Sequence, residues 1–319
     1  MEYWELVNII DQAYDLGAQS IVIIGGGEPT IYKKFKELVT HVDSLHMIPV
    51  VITNGQTMTQ EISRFLNKHH ASVMIKLDSL KEKVQDYLSG INGSYKRIQR
   101  GISNLIKNGF CTDNKIRLGA SCVLNKLNAA EVFNIWRFCR NSNIFPNIET
   151  MTPNGRAKHH FNWILSGDEV QRIKYQLLAL DQREYGYTWN PHTPLFGAGC
   201  RQLEYSLCIT VEGFARPCAA ILINHIDVKP SSPAGLKLAE ALHDPLIKRA
   251  RFAERYLTGT CATCEYKTNE CIGCRGSAYV YGVLAGLDPF EAIVSQDPFC
   301  NKDRLLPEIE MPRSSICIG

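Results

Sequence analysis

The first third of this chain contains no cysteine, although the whole sequence has twelve and the earliest is Cys111. The opening segment, MEYWELVNIIDQAYDLG, lacks a basic stretch followed by an apolar one, which excludes a secretory signal peptide. No apolar run approaches the roughly 18 residues that a membrane-spanning helix needs. We therefore predict a cytoplasmic protein without a membrane segment, whose cysteines stay reduced or bind metal.

The chain also has little excess charge, since 35 Lys and Arg residues against 32 Asp and Glu residues give a formal net charge of +3. A strongly basic balance is typical of proteins that bind nucleic acids or anionic membranes. Neither partner is expected here. The length of 319 residues is enough for one large domain with a smaller appendage, or for two ordinary domains.

Residues 1–160 alternate between helical and strand periodicity. The pattern predicts helices at Glu5–Leu16, Lys34–Leu45, Glu61–Lys68, Tyr95–Asn108 and Ala129–Asn141, and strands at Ser20–Ile24, Ile48–Ile52, Ala71–Leu77, Ile116–Leu124 and Ile144–Met151. Strands that alternate with helices in this way predict βαβ units and a parallel sheet. An αβ-barrel usually opens on a strand, whereas this chain opens on a helix, so one upstream strand is predicted to be absent.

The composition changes after a further predicted helix at Asn162–Tyr185 and a linker at Gly186–Gly199. Short segments with Cys, Gly and Pro follow, and eight cysteines fall between Cys200 and Cys300. Thiolate is a soft ligand that favours zinc or iron–sulfur clusters. The second half is therefore predicted to hold metal, with a domain boundary near residue 190.

Distinctive residues follow each predicted strand, where the loops of a parallel αβ sheet gather around ligands. They are the Gly25–Thr30 segment GGGEPT, Thr53-Asn54-Gly55, the Lys76–Ser79 segment KLDS, Ser121 with Asn125, and the Pro153–Ala157 segment PNGRA. Consecutive glycines allow a ligand to approach the backbone closely. Taken alone, GGGEP is also compatible with a plain tight turn between a strand and a helix.

Taken together, these segments resemble the radical SAM superfamily over residues 1–160. In that family the backbone of a Gly-Gly-Glu-Pro turn meets the amino group of S-adenosylmethionine. The resemblance implies an α/β fold, a partial (β/α)6 TIM-like barrel that lacks its first strand. It also implies that S-adenosylmethionine is bound by Gly26, Gly27, Glu28, Pro29, Thr53, Asn54, Asp78, Ser121 and Asn125. Lys76 stands where family members often have serine.

The main departure from the family is the lack of a C-x3-C-x2-C loop. In the family these three thiolates hold a catalytic [4Fe–4S] cluster, which splits S-adenosylmethionine into methionine and a 5′-deoxyadenosyl radical. The sequence as written is therefore not expected to perform that reaction. We expect Met1 to be an internal start of a longer protein, the alternative being a degenerate domain. A third, catalytic cluster is expected only if an upstream segment exists.

The cysteine array reads C-x12-G-x4-C from Cys200 to Cys218, then C-x2-C-x6-C-x2-C from Cys261 to Cys274, with a distal Cys300. This resembles the SPASM domain over about residues 195–305. The resemblance implies two auxiliary [4Fe–4S] clusters, the first held by Cys200, Cys208, Cys218 and Cys274 and the second by Cys261, Cys264, Cys271 and Cys300. Zinc bound by four thiolates and a disulfide framework are the alternatives.

The two resemblances divide the chain into a radical SAM barrel at 1–160, a connecting helix and linker at 161–194, a SPASM-type domain at 195–305 and a tail at 306–319. The leading hypothesis is a radical SAM/SPASM enzyme that modifies a peptide, protein or small cofactor precursor. It would receive electrons from a donor such as flavodoxin or ferredoxin. A non-catalytic iron–sulfur carrier or scaffold and a zinc-binding interaction protein remain alternatives.

Overall fold

A five-stranded parallel sheet organises the first half of the chain. The computed structural model describes residues 1–112, 115–197, 199–267 and 271–300. The sheet has the order β1-β2-β3-β6-β7, with every neighbouring pair parallel. Its strands are β1 (Ser20–Ile23), β2 (Ile48–Thr53), β3 (Ser72–Lys76), β6 (Leu118–Leu124) and β7 (Phe145–Thr150). The predicted α/β fold, a partial TIM-like barrel with five strands, is confirmed.

Two short antiparallel hairpins lie outside this sheet. One pairs β4 (Cys111–Thr112) with β5 (Lys115–Ile116), and the other pairs β8 (Cys208–Ile209) with β9 (Ala215–Arg216). The second hairpin contains Cys208, one of the predicted cluster ligands.

Helices connect the strands and cover the sheet. Those of the first half are α1 (Tyr3–Asp15), α2 (Phe35–Ser44), α3 (Gln60–Lys68), α4 (Glu82–Ser89), α5 (Ser94–Lys107), α6 (Val132–Asn141) and α7 (Gly167–Tyr185). The Cys-rich part has α8 (Gln202–Tyr205), α9 (Leu238–Ala241), α10 (Pro245–Arg251), α11 (Arg275–Leu284) and α12 (Pro289–Ala292). Short 3-10 helices lie at Pro29–Ile31, Gly155–His159, Phe161–Trp163, Ala253–Arg255 and Gly259–Cys261. Within the described ranges, no helix is both long enough and apolar enough to cross a bilayer.

Several predicted element bounds differ from the structure, and one helix was missed. The strand expected from Ile116 begins at Leu118, because Ile116 pairs with Cys111 in the first hairpin. The helix expected from Asn162 begins at Gly167, where the side chains of Ser166 and Glu169 form a capping box. The pattern gave no helix at Glu82–Ser89, where the structure has α4. The predicted tail, 306–319, lies outside the described residues.

The described residues form two main apolar cores. The first contains the strands, the helices that cover them and α7, whose Val170 and Leu177 are buried. Cys122 and Cys139 lie in this core, as expected of structural thiols. The second core is made by residues between 203 and 294, together with Ile9 of α1. The proposed domain bounds stay a prediction.

A buried carboxylate ties α7 to α6 and to the segment that follows α7. Asp181 is fully buried, and its Oδ1 accepts hydrogen bonds from Trp136 Nε1 at 2.8 Å and Arg140 Nε at 2.9 Å. Its Oδ2 accepts from Arg140 Nη2 at 2.6 Å and from Trp189 Nε1 at 3.1 Å. Because α7 also carries residues that reach the Cys-rich part, this contact contributes to positioning the site.

Candidate functional site

The glycine turn after β1 is open to its surroundings. Gly25 has φ = +75°, a left-handed conformation that favours glycine. Gly25, Gly26 and Gly27 are all exposed, and a Cβ placed on Gly27 would meet no atom within 4 Å. The peptide groups of the turn are therefore accessible to a ligand, as a role in binding S-adenosylmethionine requires. Pro29, buried, begins the 3-10 helix that follows.

The side chain of Glu28 accepts hydrogen bonds from other residues of the protein and so links the segments that follow β1 and β2. Its Oε1 accepts hydrogen bonds from the hydroxyls of Thr30 and Thr53, each at 2.6 Å. Its Oε2 accepts from the backbone N–H of Asn54 at 2.7 Å. The carboxylate of Glu28 thus shapes the turn, which leaves direct contact with a ligand to the glycine peptide groups.

Replacing Glu28 with alanine is expected to lower the free energy of unfolding by about 1–3 kcal/mol, because the buried Thr53 hydroxyl and the Asn54 N–H lose their acceptor. Urea denaturation of the metal-free protein, followed by circular dichroism, measures this change. The matched variant Glu28→Gln keeps one acceptor oxygen and should lose less. Equal stability of the alanine variant and the wild type would show that these bonds do not hold the turn.

Asp78 follows the end of β3, Ser121 lies within the neighbouring strand β6, and a lysine lies beside both. Asp78 is buried, and its Oδ1 accepts the Val123 N–H at 2.8 Å and pairs with Lys76 Nζ at 2.8 Å. The strand register places Lys76 directly beside Ser121. An ammonium group therefore lies next to the predicted nucleoside contacts, although the sequence prediction assigned it no role.

The side chain of Asn125 makes its bonds within its own turn. Its Nδ2 donates to the Val123 carbonyl oxygen at 2.9 Å, and its Oδ1 accepts the Leu127 N–H at 2.9 Å. In the same turn Asn128 Nδ2 donates to the Asp78 carbonyl oxygen at 2.9 Å. A ligand contact through the Asn125 side chain would compete with these bonds, and this contact stays a prediction.

The Cys-rich part reaches over the glycine turn. A Cβ placed on Gly26 would lie 2.9 Å from Val211 Cγ2, in the connection between β8 and β9. The amino terminus of Met1 donates to the Val211 carbonyl oxygen at 2.6 Å. Glycine at position 26 thus permits the close approach of the two parts of the chain. The strand-end residues and the hairpin that carries Cys208 therefore belong to one region of the molecule.

The first predicted group of four cysteines comes together in the fold. A Cβ placed on Gly276 would lie 3.8 Å from Cys274 Sγ and 3.9 Å from Cys218 Sγ, so both sulfurs flank this glycine. Burial raises the pKa of the Cys218 thiol to about 11, and the nearby sulfurs of Cys274, Cys200 and Cys208 add to that shift. Cys200, Cys208 and Cys274 thus all lie in the surroundings of Cys218, and a cluster shared by the four stays a prediction.

The second predicted group also comes together. Cys261, Cys264, Cys271 and Cys300 line the same cavity. Burial raises the pKa of the Cys271 thiol to about 11, and the neighbouring Asp297, Cys300 and Cys261 raise it further. Cys274 of the first group lines this cavity as well, which places the two groups next to each other.

The 271–274 and 297–300 segments are held together by Asp297 and Gly273. Asp297 Oδ2 accepts the Cys274 N–H at 2.6 Å, and its Oδ1 accepts the Phe299 N–H at 3.0 Å. Gly273 has φ = +68°, and a Cβ placed there would lie 2.8 Å from Asp297 Cβ and 2.4 Å from Arg275 Nη2. A larger residue at 273 would therefore separate the cysteines that this segment brings together.

The chemistry of the donors fits soft metal centres. All eight predicted ligands are thiols, the donor type of iron–sulfur clusters and of structural zinc. None of the described cysteines forms a disulfide. Across the described residues, no three His, Cys, Asp or Glu side chains surround a position for a single metal ion. In number and type, the residues of each group fit a four-thiolate [4Fe–4S] cluster.

Sequence reasoning missed two buried cations beside the second group, Lys174 and Arg275. A signal for Lys174 was present, because it continues the buried face of α7 formed by Val170, Ile173 and Leu177. A lysine on the apolar face of a helix needs a polar partner inside the protein. Arg275 directly follows Cys274, but its sequence position alone does not indicate burial.

Comparison with known proteins adds to this geometry. Over 298 residues the chain is 26% identical to the mycofactocin maturase MftC of Mycolicibacterium smegmatis, which covers 90% of this chain and 74% of that protein. It is 28% identical over 125 residues to the Fe-coproporphyrin III synthase of Methanosarcina barkeri, a match that spans only 29% of that protein. The crystal structure of Streptococcus suis SuiB bound to precursor peptide SuiA has the same fold, with a TM-score of 0.69 at 18% identity, covering 93% of this chain and 69% of SuiB.

Residues 3–132, which include β1, β2, β3 and the glycine turn, match the radical SAM superfamily. The match covers the strand ends at which the open turn, Glu28 and Asp78 lie. The chain thus contains a radical SAM domain, which the match places at residues 3–132.

Proposed function

We propose that this protein is a radical SAM enzyme of the SPASM type that modifies a peptide, protein or cofactor precursor. The observation that carries the proposal is the concentration of cysteines in a chain that also contains a radical SAM domain. Cys200, Cys208 and Cys274 neighbour Cys218, and Cys261, Cys264, Cys271 and Cys300 line one cavity. A peptide is the favoured substrate, because a similar fold in SuiB is bound to a precursor peptide.

In this proposal the residues have distinct roles. Cys200, Cys208, Cys218 and Cys274 would hold a first auxiliary [4Fe–4S] cluster, and Cys261, Cys264, Cys271 and Cys300 would hold a second. When bound, such clusters accept and pass on single electrons. S-adenosylmethionine would lie against the peptide groups of Gly25–Gly27, in the turn that Glu28 shapes. An external donor such as flavodoxin or ferredoxin would supply the electrons.

Modification of a cofactor precursor is the second candidate, and the similarity to an Fe-coproporphyrin III synthase favours it over other small substrates. A peptide and a tetrapyrrole can be separated by binding measurements with the anaerobically reconstituted protein. Tight binding of a porphyrin alone would favour the second candidate, whereas binding of a precursor peptide would favour the first.

Metal analysis tests the proposal against the other classes of protein. After anaerobic reconstitution, about eight irons and eight sulfides per chain are expected for two [4Fe–4S] clusters. One or two zinc ions without iron would instead identify a zinc-binding interaction protein. A carrier without catalysis would hold the same iron as the enzyme, so a coding sequence upstream of Met1 with an in-frame C-x3-C-x2-C motif separates these two.

The 319-residue chain by itself is expected to form no 5′-deoxyadenosine from S-adenosylmethionine with dithionite, because it has no C-x3-C-x2-C motif. Anaerobic incubation followed by chromatography of the products measures this. A relative that carries the motif, assayed in parallel, serves as the positive control. Formation of 5′-deoxyadenosine by this chain would show that other cysteines can hold the catalytic cluster.

A further inference from the structure

A buried ammonium group lies at the cavity of the second cysteine group. Lys174 is only 4% exposed, and its Nζ donates to the Thr193 carbonyl oxygen at 2.6 Å and reaches the Pro194 carbonyl oxygen at 3.5 Å. The side chain lines the same cavity as Cys271 and Cys300. The opposite charges nearest to it are those of Asp297 and of the Cys271 and Cys300 thiolates, which favour the charged form of Lys174 against the cost of burial. The charge of Lys174 is therefore available to the thiolates of this group.

A buried guanidinium group approaches the same cysteines from α11. Arg275 is 2% exposed, and its Nη2 donates to Cys261 Sγ at 3.7 Å. Its Nη1 donates to the Ser295 carbonyl oxygen at 2.5 Å. Its Nε is buried and has no hydrogen-bond partner among the described residues. Arg275 thus combines a hydrogen bond to a proposed ligand sulfur with a full positive charge.

The charged side chains that surround the two cysteine groups differ. Near the second group the carboxylate of Asp297 offsets part of the positive charge, but it already accepts two backbone N–H groups. Near the first group the charged neighbours are Arg216, beside Cys208, and Glu149, beside Cys200. Arg216 and Glu149 are not buried. Solvent screens such charges more than buried ones. Lys174 acts on Cys271 and Cys300 more than on Cys274 of the first group, so the buried cations act mainly on the second group.

We propose that Lys174 and Arg275 raise the reduction potential of the second auxiliary cluster above that of the first, so that the second is reduced first. This inference rests on the proposed function, since it requires both clusters. A cluster with four thiolates gains one negative charge when it takes up one electron, and here dithionite supplies that electron. Buried positive charge and a hydrogen bond to sulfur stabilise the reduced form, which raises the potential.

The test is an anaerobic redox titration of the reconstituted protein, followed by electron paramagnetic resonance. Lys174→Met should lower the higher of the two midpoint potentials by at least 59 mV, a tenfold change in a one-electron equilibrium, and leave the lower one unchanged. Lys174→Arg keeps the charge and should restore the wild-type value. Arg172→Met, at an exposed position on the same helix, is the matched control and should shift neither potential.

A ligand substitution tests the assignment without depending on a lysine variant. Cys264→Ser should perturb the signal of the higher-potential cluster, whereas Cys208→Ser should perturb that of the lower-potential cluster. The reverse pattern would overturn the inference, as would an unchanged pair of potentials in Lys174→Met at full iron content. Wild-type protein with far fewer than about eight irons per chain would instead contradict the proposed function itself.

Discussion

Replacing Cys261 with alanine is expected to remove about four of about eight irons per chain, because one ligand of the proposed second [4Fe–4S] cluster is lost. Cys261 is buried, lines the cavity of the second group and accepts a hydrogen bond from Arg275. The first group does not contain Cys261, so its cluster should persist. Iron and sulfide analysis after anaerobic reconstitution measures the loss, and the amplitude of the cluster absorbance should fall by about half.

Matched substitutions make this experiment specific. Cys139→Ala removes a cysteine that is buried in the barrel core and should leave the iron content unchanged. Cys218→Ala should remove the other four irons, because Cys218 belongs to the first group. Unchanged iron in Cys261→Ala would contradict the ligand assignment. Loss of all iron in Cys261→Ala but not in Cys218→Ala would show that the two groups do not fill independently.

Replacing Asp181 with alanine is expected to destabilise the protein by about 3–5 kcal/mol, the cost of breaking a buried ion pair by removing one partner. The loss leaves the Arg140 guanidinium uncompensated and the indole N–H groups of Trp136 and Trp189 without their acceptor. Urea denaturation of the metal-free protein measures the difference. Because Asp181 lies on α7 together with Lys174, we also expect weaker retention of iron in this variant.

Glu184 offers a control on the same helix. Its carboxylate pairs with Arg137 at 2.7 Å and with Arg183 at 2.6 Å, and these contacts lower the pKa of Glu184 to about 2. Arg183 is exposed and Arg137 is partly exposed to solvent, and ion pairs in contact with solvent contribute little to stability. Glu184→Ala should therefore shift the denaturation midpoint far less than Asp181→Ala. Similar losses in both variants would show that burial is not what makes Asp181 important.

The number of strands and their parallel arrangement could be predicted from the sequence, because both follow from local patterns, whereas the order of the strands across the sheet comes from the structure. Continuous apolar strands such as Ile48–Thr53 alternate with helices of period 3.6, and only a parallel sheet covered on both faces satisfies both patterns. The residues at which helices and strands begin and end were harder to predict. Ile116 has strand character, but whether it joins the sheet or the hairpin with Cys111 depends on which partner it meets.

The parts of the candidate site that consist of adjacent residues could be predicted from the sequence. The run Gly25–Gly27 indicates an accessible turn, whereas the internal bonds of Glu28 depend on Thr53 and Asn54, which come more than 20 positions later. Similarly, the helical spacing of the apolar residues on α7 predicts that Lys174 lies on the buried face of this helix. That Lys174 faces the cavity of Cys271 and Cys300 cannot be read from that period.

The sequence by itself determined the kinds of atoms present: accessible peptide groups at a strand end and eight thiols, both properties of residue type and short spacing. The tertiary structure decided which thiols come near one another, because Cys200 and Cys274, or Cys261 and Cys300, approach only after the chain between them has packed. It also decided which charges matter, since an ammonium or guanidinium acts strongly on its neighbours only when packing removes it from water.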